Sequence, residues 1–393
     1  MARPPALTTA QPSQAHWFEL RTLGAHPPRR TSHSAVAWRS LLLVYGGQDL
    51  REGLVPGLWT CCIDDKNPHQ ENWEEWLFEE PCPALARHSA VLYQDSMYLF
   101  GGMHNGEESA SVFILNLESR TWTTKLPDSP QMPPGMDSHS GVEHQGHMVV
   151  FGGFVGGTRS NLTFELDLQR LKWREVGRTG EVPSPRAGHT AVTYQDWMYV
   201  YGGTSEDGKL GDLWRLNFTN WHWEQVQTTS QPEVRSGHSS VVFHDCMVVF
   251  GGTREQARET NELWVLHLDT NEWVLLQEEQ KIEDPVSSVQ LEEYRRGKSP
   301  LTAPPKKPRE MSPDQSPMTK KRMKEHLYEG PANPIAGRIA GRAPYPRDGH
   351  SAVVVNGSML VFGGDRYQMP FNDLYAFNLS DTSLRSKHPR LRS

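Results

Sequence analysis

The chain has 393 residues, with 33 Gly, 29 Pro, 36% hydrophobic residues and a formal net charge of −7. No apolar run approaches the roughly 18 residues of a membrane helix, and the opening MARPPALTTAQPSQA lacks the apolar stretch of a signal peptide. Four cysteines (Cys61, Cys62, Cys82, Cys246) form neither a disulfide framework nor a metal-ligand spacing, so a reduced protein of the cytoplasm or nucleus is expected, without metal or cofactor.

In chain order, residues 1–16 read as a flexible tail, and Trp17 in HWFEL opens the first short strand. A unit then recurs six times. It begins with a histidine strand (His33, His88, His139, His189, His238, His350) and passes to an apolar strand stopped by two glycines. The pairs are Gly46-Gly47, Gly101-Gly102, Gly152-Gly153, Gly202-Gly203, Gly251-Gly252 and Gly363-Gly364, with first glycines 55, 51, 50, 49 and 112 residues apart. An alternating strand follows, such as VFILNL or LWVLHL. A tryptophan opens a fourth, at Trp122, Trp173, Trp223 and Trp273, with Trp73 or Trp76 in the first unit. Four short strands per unit of about 50 residues is the content of a propeller blade.

The pattern Arg-x-Gly-His, apolar strand, Gly-Gly, strand and Trp resembles the kelch repeat. The resemblance implies an all-β fold: a single six-bladed β-propeller over residues 17–382, with the histidine strand innermost and the Trp strand outermost. The sixth unit has Leu384 where its tryptophan should stand, while Trp17 lies 13 residues before Arg30, the same step as Trp173 to Arg186. Residues 17–21 are therefore expected to supply the outer strand of the sixth blade and close the ring, which removes exposed sheet edges.

The largest departure from the repeat follows Trp273. Residues 279–343 are rich in Pro, Ser, Lys and Arg and read as a disordered insertion between blades five and six. Residues 295–324 hold ten Lys or Arg and two acids, so the rest of the chain sums to −15. Lys306 and Lys307 and, after a twelve-residue gap, Lys320, Lys321, Arg322 and Lys324 resemble a bipartite nuclear-import signal. The same run also reads as a solvated charge cluster, or as one that docks on the acidic propeller. Three Ser-Pro steps, at Ser299, Ser312 and Ser316, are candidate phosphorylation sites whose phosphates would offset those charges. Residues 383–393 read as a basic tail.

Six histidines in register invite a metal hypothesis, but six-fold geometry spreads them around a channel, whereas ligation needs three or four donors converging on one point. No nucleophile elbow, P-loop or dinucleotide fingerprint occurs, and a catalytic role is not expected. The acidic propeller should repel nucleic acid. What is left is a monomeric, non-catalytic interaction module or scaffold that binds a protein or peptide on one loop face. The alternatives are a ubiquitin-ligase substrate receptor acting through a separate adaptor, and a propeller enzyme. BTB, F-box or cullin-adaptor segments are not expected before Trp17 or after Leu384, which counts against the receptor reading.

The binding face should be the side carrying the turns after strands two and four. There the repeat places Arg30, Arg186, Arg235 and Arg347, each three residues before its histidine, and Arg87 one residue before its own; Met136 breaks the series. A ring of guanidinium groups would suit an acidic segment or a C-terminal carboxylate. Alternatively, these arginines only pair with neighbouring blades. Arg254, Arg366 and Tyr367, on the variable loops, are further anchor candidates.

Overall fold

The short apolar strands ahead of each Gly-Gly are buried on both faces, because each blade packs against a neighbour on either side. In the computed structural model, which describes residues 17–22, 24–63, 72–79, 82–125, 129–177, 179–280 and 337–380, they form the second strand of each blade. The chain divides into two units, residues 1–280 with 336–393 and residues 281–335. The first is a six-bladed β-propeller; the second lies outside the described residues.

Blade two shows the pattern. Ser89–Tyr93 is innermost, and Ser96–Phe100, Val112–Asn116 and Thr121–Lys125 follow outward, all antiparallel. The inner strands neighbour one another in a closed cycle from Ser34–Trp38 round to Ser351–Val355. Among the described residues there is no single core. Six apolar clusters occupy the six seams between adjacent blades.

Each seam is built alike. The aromatic residue before the Gly-Gly lies between the histidine and the tryptophan of the next blade, with ring centroids 5.2–5.7 Å from the histidine and 4.6–5.2 Å from the tryptophan. In the first blade Trp73, not Trp76, takes this place, against Phe362. The glycines are required by close approach. At Gly101 (φ +69°) an added Cβ would lie 2.6 Å from the His139 ring, and at Gly102 (φ +85°) 2.7 Å from Cβ of His88. A side chain at Gly101 would push blade two from blade three, and one at Gly102 would force its hairpin off the inner strand of the same blade.

The ring closes as the sequence implies. Trp17–Arg21 pairs antiparallel with Leu374–Asn378 as the fourth strand of blade six. Trp17 then packs on Phe250 at 5.1 Å, filling the tryptophan position of the fifth seam. Gly337–Ala340 adds a fifth strand outside it, pairing with Phe18–Arg21. These four residues fall inside the segment read as disordered from 279 to 343. Their backbone instead pairs with the otherwise open edge of Trp17–Arg21, which corrects that boundary. Among the described residues no helix is long and apolar enough to cross a membrane.

Candidate functional site

The turns after strands two and four do emerge on one side, tied together by six isolated bridges such as Thr31 to Gln48 and Ala86 to Met103. At the centre of this face the channel opens into a cavity of about 260 Å³, lined by the residues just ahead of each inner strand and by Asp365.

Two closed rings build this mouth. The first is backbone only: Ser32, Arg87, Ser138, Gly188, Gly237 and Gly349 each donate an N–H to the carbonyl of the preceding member, at 2.8–3.0 Å, with Ser32 donating to Gly349. All six have φ between +55° and +65°. Glycine or serine suits this position; Arg87 (φ +60°) is the one large side chain held there. The second ring lies one residue deeper. Each histidine Nε2 shares a hydrogen bond of 2.7–2.9 Å with the Ser or Thr that follows the histidine of the preceding blade. The signal for it, a His-Ser or His-Thr step repeated six times, is present in the sequence but went unread.

These histidines are neutral. Burial pushes His88, His139, His189 and His350 down to about 3, and lowers His33 and His238 well below the usual range. They serve as seam hydrogen bonds. Among the described residues no three His, Cys, Asp or Glu side chains are grouped as a metal site.

The arginine ring of the sequence reading is corrected. Arg30, Arg186, Arg235 and Arg347 are 0% exposed and cannot meet a partner. Each turns inward, its Nη1 donating to the carbonyl of the first glycine sixteen residues on, at 2.8–3.1 Å. That carbonyl ends a strand and needs a donor. The charge is answered by a carboxylate at the start of the third strand: Asp212 for Arg186, Glu262 for Arg235 and Asp373 for Arg347. Blade one has Gly57 at this place, and burial lowers Arg30 to about 10.

Arg254 is also corrected. It is buried, and ion pairs with Glu233, Glu262 and Glu279 surround it at 2.5–3.2 Å. Arg87 is different. Its side chain is 43% exposed at the rim, with Nη1 3.9 Å from the buried Asp137 carboxylate. Arg366 and Tyr367 stay half-buried on the blade-six hairpin, the guanidinium 4.8 Å above the Tyr367 ring. Lys306, Lys307, Lys320, Lys321, Arg322, Lys324, Ser299, Ser312 and Ser316 lie outside the described residues.

Beside the mouth, a groove of about 610 Å³ runs between the hairpins of blades two and three. Met103, Pro134, Gly135 and Val155 line it, and Glu108 joins the hairpins by accepting the N–H groups of Gly156 and Gly157 at 2.6 and 3.2 Å. The sequence carried no spacing signal for it, since it forms between residues some 50 apart in the chain.

Comparison with known proteins agrees with this architecture. A family model described as the KLHDC2/KLHL20/DRC7 Kelch-repeats domain matches residues 5–127 and 123–292, and a Kelch motif model matches residues 346–382. The leucine-zipper-like transcriptional regulator 1 homolog of Drosophila melanogaster is 30% identical over 219 residues, 53% of this chain and 22% of that protein. Human Kelch domain-containing protein 3 is 28% identical over 221 residues, 51% of this chain and 55% of its own length. Human host cell factor 2 is 28% identical over 249 residues, 56% of this chain and 30% of its own length. The chain thus spans from about a fifth to about half the length of these relatives. With matching models across most of the repeats and the seam geometry they share, the chain belongs to the kelch-repeat family.

Proposed function

We propose that the protein is a non-catalytic interaction module that holds a protein or peptide on the loop face, across the channel mouth and the adjoining groove. The observation that supports this reading is a division of labour. The residues that recur with the repeat are buried and engaged with one another, whereas Arg87, Met103, Arg366 and Tyr367 depart from it and reach the surface of one face. A rigid framework that varies only in its loops suits recognition. Arg87, exposed at the rim, offers a paired hydrogen-bond fork to a carboxylate on the partner.

The test is proximity labelling in cells with Arg87→Glu combined with Tyr367→Ala, both first checked for an unchanged melting curve. Gln94→Lys, on an exposed turn of the opposite face, is the control. Neighbours lost from the double variant and kept by the control identify the loop face as the binding surface. Retention of every neighbour by the double variant refutes it.

We further propose that residues 306–324 direct the protein to the nucleus, by offering two basic clusters to a receptor with two acidic grooves. Changing Lys320, Lys321 and Arg322 to Ala should shift a fluorescent fusion toward the cytoplasm. A distribution identical to the parent's overturns this assignment.

A further inference from the structure

The six bridges that tie the loop face together invite comparison position by position. Five of them oppose Thr31 to Gln48, Ala86 to Met103, Asp137 to Phe154, Ala187 to Thr204 and Ser236 to Thr253, so none holds more than one carboxylate. The sixth opposes Asp348 to Asp365, which exchange both backbone hydrogen bonds, at 3.0 and 2.8 Å. Two ionised carboxylates directly across a bridge repel one another.

This bridge stands where the last blade meets the first. Gly349, next to Asp348, accepts the Ser32 N–H that closes the backbone ring at 2.8 Å. Every element around the pair contributes a polar group. Thr253 of blade five donates to Asp348 Oδ2 at 2.6 Å, and Thr31 of blade one stands beside Asp365. Glu259 of blade five adds negative charge next to both aspartates, and Arg366, on the same hairpin as Asp365, acts on Glu259. Lys209 of blade four is the cation that acts on Asp348, with its ammonium on the Ser236 hydroxyl at 2.7 Å. Glu255 of blade five acts in turn on Lys209.

We propose that Asp348 and Asp365 share one proton and form a pH-operated clasp on the closing seam of the propeller. With the proton present, one carboxyl donates to the other and the hairpin of blade six is held against the mouth. When the proton leaves to solvent, two carboxylates face each other and the seam around Gly349 loosens. The titration of the pair agrees with the geometry. Burial first, and then the facing Asp365, push Asp348 up to about 6, and burial raises Asp365 as well. Because the folded value lies above the unfolded one, the clasp contributes stability below about pH 4 and loses it as pH rises through about 6. This is opposite in sign to the buried histidines, so the absolute pH curve of the parent cannot report it.

The experiment is therefore a difference. The full chain and its Asp365→Asn variant, which keeps a donor for the Asp348 carboxylate, are melted at pH 5.5, 6.5 and 7.5. The Tm of the variant relative to the parent should rise by about one degree from pH 5.5 to pH 7.5, most of it below pH 6.5. A difference independent of pH overturns the clasp. If the variant does not fold, a carbon-13 carboxylate titration of Asp-labelled parent decides. One aspartate titrating near neutrality upholds the proposal, whereas all aspartates titrating in the ordinary range near 4 reject it.

Discussion

Acidification from pH 7.5 to pH 5 should unfold this protein cooperatively, because six buried histidines must stay neutral for the seams to exist. In the unfolded chain each titrates near 6.5; in the fold, burial depresses all six, four of them to about 3. A group depressed by folding contributes its stability above the unfolded value and loses it as pH falls towards the folded one, here between about 6.5 and 3. At pH 5 each histidine costs about 2 kcal/mol relative to neutral pH, and six cost roughly 10 kcal/mol. That is comparable to the whole net stability of an ordinary domain.

Tryptophan fluorescence against pH should show a steep transition, with denaturant midpoints falling at a slope set by about six protons taken up on unfolding. The His139→Gln variant, whose amide can still meet the Ser89 hydroxyl, should shed about one of them. Stability that is flat from pH 7.5 to pH 5 would mean the histidines are charged or exposed in the fold.

The second large effect concerns closure. Trp17 is 1% exposed, wedged between Phe250 and Phe377 at 5.1 Å each, and its Nε1 donates to Gln277 Oε1 at 2.6 Å. Gln277 is itself buried and donates to the Asn261 carbonyl. Trp17→Ala removes about 3–5 kcal/mol of packing and leaves the Gln277 oxygen without its donor. A Tm drop of roughly 5 °C or more is expected. Deleting residues 1–22 goes further. It strips the outer partner from Leu374–Asn378, and also the strand on which Gly337–Ala340 rests. Soluble yield and melting of the truncated chain provide the check, and a melting curve equal to the parent's would refute closure by this strand.

Much of this fold was legible along the chain, for a definite reason. A blade is a local object, so the steps between histidine, Gly-Gly and tryptophan survive as spacing, and the missing tryptophan of the sixth unit could be matched to Trp17. Cys61 and Cys62 follow from the same local logic, one buried and one exposed on successive residues of a strand.

Side-chain destination is a different matter, because for these arginines it is decided by carbonyls and acids 8 to 27 residues away that only the folded blade brings beside them. Arg30, Arg186, Arg235 and Arg347 were placed at the mouth by their spacing, yet strand-end carbonyls and the acids at 212, 262 and 373 draw them inside. Arg254 went the same way, between three glutamates. Gly337–Ala340 has a composition that suits a linker, but the edge of Trp17–Arg21 gave its backbone a partner. The facing of Asp348 by Asp365 arises only from the antiparallel register of a bridge between two loops. Spacing in the sequence determined the six blades and their closure, since each depends on local geometry repeated. Which charges are sealed in seams and which meet solvent was decided by the tertiary structure, because burial is set by neighbours that the chain brings together only when the ring closes.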